Sequence, residues 1–269
     1  MAVASGTPEI LFLSHGGGPL PLLGDPGHDE MVTCLQRIAG RLRKPSAVLV
    51  ISAHWEEAVP TITSGATPPL IYDYYGFPEA SYSIQYPCPG EPELARELQS
   101  VFHRAGIEAA LDDARGFDHG VFVPMKILFP DAAIPCVQLS LTSNLNAAEH
   151  LAIGEALQGL AWDNLLVVGS GFSFHNMRAF FAPETAQTRE LNGAFEQWLQ
   201  ETCTSTALSG KDRKDRLIHW EKAPGARFCH PREEHLLPLH VCCGLAGVRR
   251  PQAFVLNILN KRASMYLWQ

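Results

Sequence analysis

The chain has no apolar run long enough to cross a bilayer. Its longest, SAVLVIS near Val48 and NLLVVGSG near Val167, are strand-length against the roughly 20 residues a membrane helix needs. There is no C-x-x-C pair. Seven cysteines (Cys34, Cys88, Cys136, Cys203, Cys229, Cys242, Cys243) make an odd count in a 269-residue chain that can build a core without cross-links. Reduced thiols and a cytoplasmic setting are therefore expected. No basic stripe is present: 21 Lys and Arg are scattered among 28 Asp and Glu, with net charge −7. That distribution argues against phosphate-backbone binding, so neither nucleic acid nor membrane is an expected partner. The opening MAVASGTPEI has neither a charged region nor an apolar one, so no secretory signal is expected. The glycines after His15 lack both G-x-G-x-x-G and a Walker lysine, which weakens a phosphate-cradling reading. Repeats, low-complexity tracts and Pro/Gly-rich linkers are missing too.

What the chain does have is alternation. Strand-length runs start at Ile10, Ala47, Cys136, Leu165 and Ala253, and amphipathic stretches start at Asp29, Glu91, Ala147 and Glu184. Continuous β-branched runs between helical patterns describe strands buried on both faces. The expected fold is α/β, a single domain over residues 1–269 with a central, mostly parallel sheet covered by helices. The Pro- and aromatic-rich segment 66–92 is long for a compact domain and reads as a functional loop, or as cover for a sheet edge. Segment 209–220, SGKDRKDRLIHW, reads as a solvated excursion. Adjacent Cys242 and Cys243 read as small residues packing a helix against a sheet.

Eleven histidines are present, and three fall at strand ends. His15 closes the first run, His54 the second, and His175 follows the glycines after LLVV. In open α/β sheets ligands bind beyond the carboxyl ends of strands, so these three should share one crevice. The Gly16-Gly17-Gly18 backbone beside His15 permits positive φ and close approach. His235 opens an apolar helical stretch, where the positive end of the dipole disfavours imidazolium and leaves the neutral ring a metal needs. His230, just before that helix, remains an alternative; His240 lies in its interior and faces elsewhere. His119 precedes a run expected to start a helix at Val121, with Asp118 as its cap. His28, His103, His150 and His219 read as solvated. Tyr72, Tyr74, Tyr75, Phe172 and Phe174 are candidates either for a ring-binding pocket or for the core.

Seven segments in order resemble the class III, LigB-like extradiol ring-cleavage dioxygenases, specifically their DOPA 4,5-dioxygenase group. They are SHGGGP at Ser14, SAHW at Ser52, IYDYYGFP at Ile71, YPCPG at Tyr86, FDHGVFVPM at Phe117, GSGFSFHN at Gly169 and HPREEHLLPL at His230. The resemblance implies metal ligands at His15, His54 and His235, an acid/base role for His175, and a contact to substrate or dioxygen from His119. It also implies a catechol-like or aminophenol substrate opened with O2 to a semialdehyde. Departures from the usual motifs fall at the glycines after His15, at Phe117 and Phe122, and at Arg232-Glu233. They bear on substrate preference, because Arg232 places a positive charge near the expected pocket mouth.

Three neutral imidazoles leave open positions on Fe(II), the expected working metal. They also describe a catalytic zinc site, and Zn(II) outcompetes Fe(II) for nitrogen donors, so purified protein is expected to carry zinc. Two alternatives follow from the same residues: a zinc hydrolase with His175 or Glu234 as base, and a Memo-like binding protein without catalysis.

Overall fold

The computed structural model describes residues 6–269. In chain order, β1 (Glu9–Ser14) and α1 (Asp29–Ala39) lead to β2 (Ala47–Glu57) and β3 (Thr61–Thr63). After the aromatic segment come α2 (Pro92–Arg104), β4 (Ala110–Asp112), α3 (His119–Leu128), β5 (Cys136–Thr142), α4 (Ala147–Leu157) and β6 (Leu165–Gly171). The helices α5 (Met177–Phe181), α6 (Ala186–Thr204), α7 (Gly210–Ile218), α8 (Ala226–Cys229) and α9 (Leu237–Ala246) precede the hairpin β7 (Gln252–Ile258) and β8 (Lys261–Trp268).

The strands form one sheet ordered β4-β3-β5-β2-β6-β1-β8-β7. Its centre, β5-β2-β6-β1, is parallel. At one edge β8 runs antiparallel to β1 and to β7; at the other β3 runs antiparallel to β5 and parallel to β4. The predicted single α/β unit with a mostly parallel sheet is thus what forms. Alternate side chains serve the two faces. Ile10, Phe12, Leu49, Ile51 and Val167 pack with α2, α4, α6 and α9. Leu11, Leu13, Val48, Val50 and Val168 pack with α1 and α3.

Three readings need correction. Segment 209–220 is largely the helix α7, capped by Ser209 on Asp212 N at 3.1 Å and anchored by buried Leu217. Its apolar signal is Leu217, Ile218 and Trp220, all at the end of a charged stretch, too sparse for periodicity to show. His28 and His150 are buried, not solvated. His150 accepts from Thr142 N at 3.2 Å and sits 2.7 Å from Asn146 O through Nδ1, and burial lowers its pKa to about 4. All seven cysteines are unpaired and buried. Among the described residues no helix is long and apolar enough to cross a membrane.

Candidate active site

The carboxyl ends of β1, β2 and β6 converge, as parallel pairing requires. Ser14 pairs with Gly171, and His15 N donates to Gly171 O at 2.9 Å. His54 does not end its strand, as the sequence suggested. β2 continues to Glu57, with its register against β5 broken between Ile51 and Glu56. Such a bulge re-aims a side chain within a strand, and here it turns His54 toward the same pocket as His15. His235 lies in the turn that opens α9, and its carbonyl accepts from Phe172 N at 2.9 Å. A Cβ at position 171 would lie 2.2 Å from that carbonyl, so Gly171 is what lets the His235 turn sit on β6.

His119 is the first residue of α3, two residues earlier than expected. Asp118 stands at the N-cap position, but its carboxylate turns elsewhere. It accepts from Ser52 Oγ at 2.8 Å and from Gln138 Nε2, with the Arg115 guanidinium at 3.3 Å. Asp73, from the aromatic segment, takes over the cap: its Oδ1 accepts from His119 N at 3.0 Å and from Nδ1 at 2.8 Å.

The rings of His15, His54 and His235 form a nearly equilateral triangle, with centroids 4.9, 5.2 and 4.9 Å apart. His119 sits off this triangle, 3.9 Å from His54 and 5.6 Å from His15. His175 stacks on His235 at 3.4 Å. Donor atoms of His15, His54 and His119 lie within 4.8 Å of one another, as do those of His175, Glu234 and His235. His230, the alternative to His235, is elsewhere. It is fully buried between Phe195 and Trp220, with Nε2 2.7 Å from Ser173 O.

Hydrogen bonds set the imidazole tautomers. The Ser170 hydroxyl donates to Gly120 O, so it accepts from His15 Nδ1 at 3.0 Å and leaves His15 Nε2 bare. Glu234 Oε1 takes Nδ1 of His235 at 3.0 Å and Nδ1 of His175 at 3.1 Å. Asp73 Oδ2 faces His54 Nδ1 at 3.8 Å. His54 Nε2 lies 3.1 Å from His15 Nε2, close enough for one ring to donate to the other or for both to face one cation. Burial first, and neighbouring imidazoles second, hold His15, His54 and His235 well below the ordinary imidazole range. Neutral rings with bare nitrogens facing inward are the donor set a divalent metal requires.

All five histidines open on one cavity of about 690 Å3. Tyr74, Tyr75 and Phe172 line it as the sequence allowed; Tyr72 instead packs on Tyr74 and Phe122, and Phe174 belongs to the core.

A family model described as the catalytic LigB subunit of aromatic ring-opening dioxygenase matches residues 9–263. The chain belongs to the LigB family. Among relatives of this LigB-family chain, a protein named dioxygenase tasH from Hapsidospora irregularis is 42% identical, covering 90% of this chain and 79% of that protein. The 4,5-DOPA dioxygenase extradiol of Beta vulgaris is 36% identical over 89% of this chain and 87% of that one. The Escherichia coli K12 protein of the same name is 34% identical over 90% and 86%. The crystal structure of an uncharacterized Escherichia coli K12 protein superposes with a TM-score of 0.76 at 27% identity, covering 96% of this chain and 98% of that one. The LigB family and the inward-facing donors together support a metal-dependent dioxygenase that acts on an aromatic substrate with O2.

Several features of the LigB-family site escaped the sequence reading. Asp73 stands within IYDYYGFP, where a carboxylate amid four aromatics is itself a signal. His28 was read as solvated, yet its Nε2 accepts from Gly17 N at 2.9 Å while its Nδ1 donates to Asp25 at 2.8 Å. It thereby fixes the glycine loop after His15, where Gly16 has φ 83°. The hairpin tip Leu259-Asn260 and helix α5 also wall the cavity. Arg232 does not bring free charge to the mouth: both its terminal nitrogens bind Glu56, at 2.6 and 2.7 Å.

Proposed function

We propose that His15, His54 and His235 hold one divalent metal and that the protein opens a catechol-type ring with O2 to a semialdehyde. A DOPA-like catechol or a related catechol or aminophenol would be the substrate. The near-equilateral triangle of ring centres carries this reading, since it sets three neutral imidazoles around one point that an ion could occupy. His119 also brings a donor atom within 4.8 Å of those of His15 and His54, and its anchoring to Asp73 is the reason it is given to substrate or dioxygen instead. Fe(II) as working metal would supply open coordination positions and the redox chemistry that joins the ring to dioxygen.

The remaining residues have separable tasks. His175, anchored through Nδ1 to Glu234, takes a proton from the substrate hydroxyl at Nε2 and returns it to the product. His119, anchored through Nδ1 to Asp73, offers Nε2 to substrate or dioxygen. Because Glu234 already serves two imidazoles, it is poorly placed as the free base of a zinc hydrolase. Seven unpaired thiols support a reducing, cytoplasmic setting.

Anaerobic reconstitution tests the reading. Fe(II)-loaded protein is expected to consume oxygen and generate semialdehyde absorbance with a catechol, and Zn(II)-loaded protein is not. Equal turnover with zinc, or none with iron across a broad catechol and aminophenol panel, would overturn it.

A further inference from the structure

The walls of the cavity narrow the substrate class. Among the described residues no lysine or arginine lines it. The nearby cations are engaged or turned away. Arg232 is forked onto Glu56, and Lys261, next to the hairpin tip, reaches Glu184 at 3.3 Å. Arg178 lies on α5, where Met177, Phe180 and Phe181 share the cavity-facing side by helical spacing. The one carboxylate in the wall is Asp25, which accepts from His28 and from Gly27 N.

The same walls are apolar and unusually exposed. Tyr75, Met177 and Phe181 are 90%, 54% and 83% exposed, and all three line this cavity. The four other large apolar side chains exposed among the described residues do not line it. Leu20, Phe77, Phe180 and Leu259 continue the apolar surface. Contiguous exposed apolar surface around a concave site marks a ligand that covers it. A volume of about 690 Å3 exceeds what a bare catechol fills and falls in the range, roughly 300–1,000 Å3, of pockets for larger ligands.

We propose that, among the catechols considered above, the cavity favours not a DOPA-like amino acid but a catechol carrying a bulky, uncharged, apolar extension, an alkyl chain or second ring, and discriminates against extensions that end in a carboxylate. The catechol end rests on the ring-opening reading above; the extension rests on the walls. A carboxylate there would lose water, gain no cationic partner and face Asp25. An alkyl chain would gain roughly two- to fourfold in affinity per methylene buried.

The test is equilibrium binding by anaerobic calorimetry to the Zn(II)-loaded protein, followed by oxygen uptake with the Fe(II)-loaded protein. The probes are methylcatechol, n-hexylcatechol and a dihydroxyphenyl-alkanoate of matching chain length. Hexylcatechol is expected to bind at least tenfold more tightly than either of the others, and kcat/KM to follow the same order. Phe181→Ala should shrink the hexyl-to-methyl ratio severalfold, and Met177→Lys should shift preference toward the alkanoate about tenfold. Alkanoate binding equal to or tighter than hexylcatechol would overturn the proposal. If the binding order holds while no catechol is oxidised, the cavity assignment stands and the ring-opening reading falls.

Discussion

One oxygen of Glu234 holds two imidazoles, Nδ1 of His235 and Nδ1 of His175. Burial alone would raise this carboxyl; the bond from His175 and the nearby Arg232 guanidinium outweigh it and hold the group below the ordinary range. An ionised Glu234 keeps both protons on Nδ1 and both Nε2 atoms facing the cavity. Glu234→Gln is expected to fold normally but to lose metal retention about 10–100-fold, the usual cost of removing a ligand's orienting partner. Metal content after dialysis measures this. The same assay separates four histidines. His15→Ala and His235→Ala should release metal, and His119→Ala should retain it. His230→Ala should also retain it while losing roughly 1–3 kcal/mol in urea unfolding, because it vacates a packed, hydrogen-bonded site. If His230→Ala releases metal and His235→Ala does not, the third ligand is misassigned. His15 was legible from its strand end, but the choice between His230 and His235 was not. Both flank one helix start, and the packing of Phe195 and Trp220 that draws His230 away from the pocket comes from distant parts of the chain.

At the scale of elements, α6 is fastened to β8 by buried polar contacts. Asn192 binds the Arg262 backbone at 2.9 and 3.0 Å, and Glu196 accepts from Ser264 Oγ at 2.5 Å. Burial raises the Glu196 carboxyl from 4.5 to about 7, opposed by bonds from Ser173 and Ser264. Between these two values the unfolded chain releases a proton that the native chain keeps. Native stability therefore falls as pH rises through that window, by an order-of-magnitude figure of about 3 kcal/mol. Glu196→Gln should remove this slope and be more stable than the parent above pH 7, as urea midpoints across the window would show. An unchanged slope would place the Glu196 pKa near its unfolded value. The long elements were readable because buried parallel strands and amphipathic helices carry strong periods. β3 and β4, three residues each, carry none, and the β7–β8 turn Leu259-Asn260 lacks the usual glycine although both residues have positive φ. The bulge in β2 was equally hidden, since it depends on how β5 pairs rather than on local residue type.

Across the whole molecule, three parallel strand ends bring the glycine loop and the histidines together. The antiparallel hairpin at the sheet edge then closes one side of the cavity, with Leu259 N bonded to Gly27 O at 2.9 Å. Distant parts of the chain thus supply one concave site: His15 and His54 from the sheet, His175 from the turn after β6, His119 from the start of α3, His235 from the turn before α9, and apolar walls from α5 and the aromatic segment. On the proposed reading, substrate and dioxygen would share this partly enclosed space, and both oxygen atoms would end in the product. The most direct measurement is mass spectrometry of the ring-opened product formed by Fe(II)-loaded protein under isotope-labelled dioxygen. Incorporation of both labelled atoms is the predicted result. A product whose new oxygen comes from water, formed equally well without dioxygen, would contradict it.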